Sequence, residues 1–519
     1  MSIMKNDEKD ERKSYEIGPV KAKIRRKQSA SIREEAAEFQ EDRPLPPHPC
    51  NGDEELYSNK IGNYSKGLPH NSLGEVDPKA YEAYMKALKT GDPVNFETIP
   101  LGGVVKLTNP QGAYAFDLAG PDSHHLGMIA PPDFSSAWEA GEMAELYWQA
   151  LTRDVPFADF GTSPHSKAAA SDLSSFSDFR GPKVGGMVTT ENLFRGNTPG
   201  DLVGPYISQF LWKDIPHGAT TMVQRYRTTV AGDDHMTTYK EWLDIQNGLS
   251  PAALNIFDPT PRYIRNGRDL GEWVHRDFTF QAFLAACLIL LGFGQSALDL
   301  ANPYLSSATQ IGFVTFGGPH VLDFVVRSAR SALEASWFQK WLVHRRLRPE
   351  EFGGRVHNHL TGAASYPINS ELLQSEAVSK VFNTFGSYLL PMAYPEGCPT
   401  HTSYPAGHAC IAGAGVTMLK AFSNESFVIP NPVEASADGL SLLPYSGTPL
   451  TIGGELNKLA ANIALGRDTA GVHWRSDGIE GLKLGESVAI GILKDYKDTY
   501  NEDFCGFSLT KFDGKAITI

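Results

Sequence analysis

Cysteine is scarce in this chain: five in 519 residues, at positions 50, 287, 398, 410 and 505, with no CxxC pair. So few, so scattered, they point to neither a disulfide framework nor a zinc site, with one bridge involving Cys398 left open. Excess positive charge is also missing. The formal net charge is −13, which argues against nucleic acid as a partner, because phosphate binding wants a basic surface. A local cationic pocket is still compatible with an acidic chain. Long apolar runs are lacking as well. The most apolar stretch, FLAACLILLGFG at 283–294, is too short to cross a bilayer and reads as a buried helix, so no membrane partner is expected. The first residues, MSIMKNDEKDERKSYEIG, have no apolar centre of the kind a secretory signal needs. With the cysteine pattern, that makes a cytoplasmic location the expectation. Alternating strand patterns are few, and no repeat of 20–50 residues is present.

What is present is ordinary globular composition, 41% hydrophobic and 21% charged. Residues 1–45 are rich in Lys, Glu, Asp, Arg and Ser and cannot bury enough surface to offset their ordering entropy. They read as a mobile arm, or one that orders against a partner subunit; residues 46–519 read as a single large helical domain. The span from Pro46 to about Pro110, rich in Pro, Gly and Asn, reads as irregular chain wrapped over a body. Helical patterns then dominate. Ser136 and Glu139 fit a capping box before an apolar face through Tyr147 and Leu151. A long apolar helix is expected within Leu270–Ala301, and others over 320–347, around Leu456–Ile463, and over 479–496 behind Ser476 and Asp477 as N-cap material. The expected fold is mainly α: helical bundles, two of four helices each, with long irregular loops. The polar arm and Pro-rich segment are suited to wrapping a neighbour, so a homodimer or higher homo-oligomer is expected.

Three segments concentrate chemistry. In Trp337-Phe-Gln-Lys340-Trp-Leu-Val-His344-Arg-Arg-Leu-Arg348-Pro349, a continuous helix would place Lys340, His344 and Arg348 along one stripe, with Pro349 ending it. Taken alone, that segment is better explained as a solvated basic face at a helix C-terminus. In Tyr404-Pro405-Ala406-Gly407-His408, Gly407 permits close approach to the backbone, and a helix starting there would offer free N–H groups as an anion site beside a titratable histidine. In Gly466-Arg467-Asp-Thr-Ala-Gly471-Val-His473-Trp-Arg-Ser-Asp477, a Gly-containing turn lets Arg467 and His473 face one space. Together, two arginines, a lysine, two histidines and free amides suit a small tetrahedral or trigonal-bipyramidal oxyanion. One histidine can then bind covalently or ligate a metal while the other moves protons.

The order Lys340-x7-Arg348-Pro349, Pro405-x-Gly407-His408 and Gly466-Arg467-x5-His473-x3-Asp477 resembles the superfamily of type 2 phosphatidic acid phosphatases and vanadium-dependent haloperoxidases. The general phosphatase pattern has six residues between Lys and Arg; the seven here are closer to the algal and bacterial haloperoxidases. The upstream stretches NGDEELY, KGLPHNSLGEVDP, NPQGAYAFDLAGPDSHHL and ELYWQALTRDVPF are also similar to that branch, so the resemblance runs from about residue 45 onward. It implies vanadate as cofactor, His473 as its axial ligand, and His408 as the proton-handling group. Lys340, Arg348, Arg467 and the Gly407 amide would hold the equatorial oxygens. Trp337 and His401 match positions lining the pocket, where halide would approach. Ala406 departs from the pattern, which usually has serine there; Ser403 is one hydroxyl that would substitute. Asp277 is a candidate to brace an arginine. The implied activity is oxidation of halide, bromide first, by hydrogen peroxide to a hypohalous acid equivalent that halogenates small organic substrates. The alternatives are an acid phosphatase of the same superfamily, a vanadate enzyme acting on one organic molecule, and a non-catalytic helical assembly protein with a fossil anion site.

Overall fold

The computed structural model describes residues 20–519. Two units separate, 1–46 and 47–519. In the first, the described part forms one helix, α1 (Ala22–Asp42), with no buried side chain. The charged arm is therefore helical from Ala22 onward, while its first 19 residues lie outside the described ones.

In the second unit, the Pro-rich entry is less irregular than expected. Asp77 accepts the Ala80 amide at 2.9 Å, and Pro78 follows at the first helical position, so α2 (Pro78–Thr90) starts with a complete N-terminal signal. Its Tyr81 and Tyr84 form a small core with Tyr64 and Trp341. Ser136 caps α3 (Ala137–Thr152) by accepting the Glu139 amide at 3.1 Å. The Glu139 carboxylate does not close a capping box; it turns inward to Arg346. α4 (Pro164–Ser175) and α9 (Glu376–Phe385) pack on α3, with a single turn at Ser370–Leu373.

The expected long helix within 270–301 is broken. α5 (Gly267–Arg276) and α6 (Gln281–Gly292) meet at 99°. Asp277 adopts an extended backbone at the corner, and the Gln281 side chain accepts the Phe278 amide at 3.3 Å to start the second helix. Among the described residues no single helix is long and apolar enough to cross a membrane.

α7 (Gly318–Phe338) runs into a π-helical segment, Gln339–His344, and the chain then reverses at Arg345, whose φ is +45°. α8 (Pro349–Leu360) follows. α10 (Gly407–Phe422), α11 (Ile452–Thr469) and α12 (Arg475–Lys497) complete the set. α10 lies at the centre of a bundle with α7, α11 and α12. Its small residues permit this: a Cβ on Gly413 or Gly485 would meet backbone at 2.1 or 1.9 Å, so the α10–α12 crossing depends on glycine. One large core links this bundle to α5 and α6; a second surrounds α3 and reaches Trp474. α7, α10, α11 and α12 thus form one group of four, and α3, α4, α9 and the single turn at Ser370–Leu373 a second, with the other helices around them. The strands among the described residues are three short antiparallel hairpins: β1–β2 (Ile215–His217, Thr220–Met222), β3–β4 (Val433–Ala435, Leu442–Pro444) and β5–β6 (Ser508–Thr510, Ala516–Thr518). Leu509 opposes Ile517 in the last.

Candidate active site

The chemistry-bearing residues converge where several helix ends meet. α10 begins at Gly407 with Ala406 as N-cap. No side chain caps it, because alanine has no acceptor to offer. The first amides of α10 are therefore left for another partner. Gly407 is needed by its neighbours: a Cβ there would sit 3.3 Å from Trp337 and 3.4 Å from Leu333.

Lys340 lies in the π segment, where the widened turn directs it inward; π turns are frequent at functional sites. Its Nζ donates to the carbonyls of Thr402 and Ser403, both at 2.7 Å. The four cations of this segment and its end separate sharply. Arg345 pairs with Glu54 at 2.5 Å. Arg346 is buried against Glu139, Glu142 and Asp477, at 2.5, 3.1 and 2.9 Å. Arg348 turns to the site, and Lys340 lies beside it. Arg348 is the extended N-cap of α8, its amide bonded to Glu351 at 2.8 Å. The single stripe of Lys340, His344 and Arg348 does not form, because the π segment and the left-handed Arg345 break its periodicity. His344 instead packs edge-on to Tyr404, its ring nitrogens unpartnered and its pKa pushed down to about 3, first by burial and then by Arg345. The solvated-face reading fails too, since Lys340, Arg346 and Arg348 are buried.

His473 follows the turn at Gly471, whose φ of +83° favours glycine. Its Nδ1 lies 2.8 Å from Asp477 Oδ2. The carboxylate accepts a hydrogen bond from Nδ1–H, leaving the Nε2 lone pair facing the site, 3.0 Å from Arg348 Nη1. Asp477 is not the cap of α12, which starts two residues earlier. At the third helical position it accepts the Trp474 amide at 3.1 Å, the Ser403 hydroxyl at 2.5 Å and an Arg346 donor. Ser403 is thus committed to Asp477 and does not replace the hydroxyl missing at Ala406.

Asp277, at the α5–α6 corner, braces no arginine. Its Oδ1 lies 3.0 Å from His408 Nε2, the geometry that orients a proton-transferring imidazole. Arg467, near the end of α11, donates to the Val274 carbonyl at 2.6 Å, and its Nε is buried without a partner. His401 is stacked obliquely on Trp337, 5.0 Å between rings. Arg348 Nη2 lies 2.9 Å from His401 Nδ1, which is also 3.1 Å from the Thr402 carbonyl oxygen. Trp337, His401, Gly407, His408, Arg467 and His473 line one cavity of about 430 Å³. Ala406 is fully buried behind it. Cys398, also buried, is a free thiol, as are the other four cysteines, so the bridge left open is not formed.

The electrostatics of this cavity are unbalanced. Among the described residues no carboxylate pairs with Lys340, Arg348 or Arg467. Burial, then Arg348, drives the Lys340 pKa well down, and burial lowers that of Arg348. His401 and His473 are likewise driven well below the usual histidine range, by burial first and then Arg348 and Lys340. Buried cations without counter-charge cost several kcal/mol each, on the order of the desolvation penalty for an ion. A polyanion is what these residues can hold: forked donors from Arg348 and Arg467, a point charge from Lys340, uncapped amides at Gly407, and an imidazole lone pair on His473. Sequence reasoning placed all nine site positions in one region. It missed the use of Asp277 and the orienting role of Asp477, though the i, i+4 spacing of His473 and Asp477 was a signal for the latter.

Comparison with known proteins identifies the family. The vanadium-dependent bromoperoxidase of Corallina pilulifera is 36% identical, over 95% of this chain and 98% of its own. The chain belongs to the vanadium-dependent bromoperoxidase family. Another family member, from Ascophyllum nodosum, is 35% identical over 90% of this chain and 87% of its own. A model described as the VCPO second helical-bundle domain matches residues 367–502, which carry His401, the α10 N-terminus, Arg467 and His473. The homohexameric structure of the second vanadate-dependent bromoperoxidase of Ascophyllum nodosum superposes with a TM-score of 0.92 at 30% identity, covering 96% of this chain and 91% of that one.

Proposed function

We propose that this protein binds vanadate and oxidises bromide with hydrogen peroxide, and that it works as a homo-oligomer. The observation that carries the reading is the group of three buried cations, none in a salt bridge among the described residues, around an imidazole lone pair. That donor set fits a trivalent oxyanion, and family membership supports vanadate as its identity. His473 Nε2 would ligate vanadium. Lys340, Arg348, Arg467 and the Gly407 amide would hold its oxygens. Bound vanadate supplies Lewis-acid activation of peroxide.

The chain's own residues do the rest. Asp477 keeps the His473 proton on Nδ1, so that Nε2 stays a ligand. Asp277 holds His408 at the cavity wall, where its imidazole takes a proton from incoming peroxide and returns one during turnover. Lys340, fixed by two carbonyls, provides a positive field that needs no rearrangement during the reaction. Trp337 and His401 shape the side from which halide approaches. The net reaction combines hydrogen peroxide, bromide and one proton to give hypobromous acid and water; small activated organic molecules receive the halogen. Bromination of an activated arene, assayed with and without bromide and beside phosphomonoester hydrolysis, separates this reading from the phosphatase one. Bromide-dependent bromination without comparable hydrolysis is expected; hydrolysis alone would reverse the assignment.

Ala406 gives a prediction of its own. A serine at this N-cap can accept an α10 amide or donate to a bound oxygen. Capping would raise stability by about 1 kcal/mol. A hydrogen bond to a charged oxygen is worth about 1.5–3 kcal/mol, or roughly a tenfold or greater tightening of vanadate. Ala406→Ser is therefore expected either to melt higher or to bind vanadate more tightly. Thermal unfolding with and without vanadate tells the two apart.

A further inference from the structure

The wall of the cavity contains a charged pair with no part in the scheme above. His275, at the end of α5, has Nδ1 3.0 Å from Glu272 Oε2 and Nε2 2.6 Å from Glu396 Oε1. Its ring stacks on Tyr394 at 3.7 Å, with 10° between planes. Glu272 is buried, while Glu396 is 46% exposed, and both His275 and Glu396 line the cavity. The other charges nearby are few. Arg276 caps Glu272 at 3.1 Å from the solvent side. Lys66 donates to the Glu396 carbonyl, but its ion pair is with Glu350. Arg467 lies 5.7 Å from the Tyr394 ring. Asp277 is occupied by His408. Glu396 is thus the one solvent-facing carboxylate lining a cavity whose interior is cationic, and His275 is its only ion-pair partner among the described residues.

Resting on the bromide reading, we propose that Glu396 and His275 form an electrostatic gate for the incoming halide. With His275 protonated, the Glu396 charge is cancelled and the anion enters. With His275 neutral, the rim is negative and repels bromide. Hydrogen peroxide is uncharged and passes either way. Burial opposes the charged imidazole, but the hydrogen bonds it donates to Glu272 and Glu396 outweigh that and raise the His275 pKa. The open state therefore persists above the usual histidine range and is lost as pH rises through that raised value.

The test uses the full-length, vanadate-loaded enzyme and compares Glu396→Gln with His275→Gln. Glutamine at 396 keeps an acceptor for His275 and removes the charge. At low ionic strength Glu396→Gln should lower the KM for bromide about threefold and flatten its rise with pH, while His275→Gln should raise it by about as much. Added salt should shrink both effects, and the KM for hydrogen peroxide should stay put in both variants. Two altered packing sites would not shift one substrate in opposite directions and spare the other. If the bromide KM is unmoved, or the peroxide KM moves with it, the gate is wrong although the activity stands. If the unaltered enzyme shows no bromide-dependent turnover, the functional reading falls, and the gate with it.

Discussion

His473→Ala is expected to lose its vanadate and with it all bromide oxidation. Its Nε2 lies 3.0 Å from Arg348 Nη1, and Asp477 fixes the ring from its far side through Nδ1. Outer partners of a ligating histidine typically change metal affinity by about 10–100-fold; removing the ligand itself should exceed that, with affinity falling on the order of a thousandfold. Folding should survive. The truncation removes a ring from a site with surplus positive charge, and the three cations remain. Vanadium content after equilibrium dialysis, read beside circular dichroism, checks this. Wild-type vanadium content in a folded His473→Ala protein would take the ligand role from His473.

His408→Ala is expected to do the reverse: keep vanadate and lose turnover. His408 reaches the cavity wall from the second residue of α10, and its bond is to Asp277, not to any of the cations. General acid–base groups contribute about 10²–10⁴ in rate, so kcat should fall within that span while vanadium content stays near stoichiometric. The decisive readout is that split. A variant with unchanged kcat removes His408 from proton transfer, and one that loses vanadium as fully as His473→Ala makes it a ligand.

These two roles show what the sequence made legible. The motif order brought Lys340, Arg348, His408, Arg467 and His473 to one place; Arg348, His408, Arg467 and His473 lie close to a glycine or proline at a helix end, and Lys340 does not. Helix content was readable from apolar periodicity, which coincides with a working cap in α3 and stands without a correctly read cap in α11 and α12. Partners across the fold were not readable. Arg345, Arg346 and Arg348 look alike in RRLRP, yet one pairs with Glu54, one enters a nest of buried acids, and one reaches His473 and His401. The cause is the π segment and the left-handed Arg345, which local sequence does not announce. Asp277 was assigned to an arginine because the 270–301 pattern read as one helix; the 99° corner turns its carboxylate to His408 instead. The Pro-rich entry concealed α2, whose apolar face is aromatic and packs on Trp341.

The central claim is that the buried cationic cavity exists to hold vanadate for halide oxidation. The most direct measurement is titration of the vanadate-stripped protein with orthovanadate, following bound vanadium and peroxide-dependent bromination in the same samples. The account predicts that both rise together and saturate near one vanadium per chain, with phosphate competing for the site. Bromination that is independent of added and bound vanadium, or stoichiometric vanadium without bromide-dependent turnover, would contradict it.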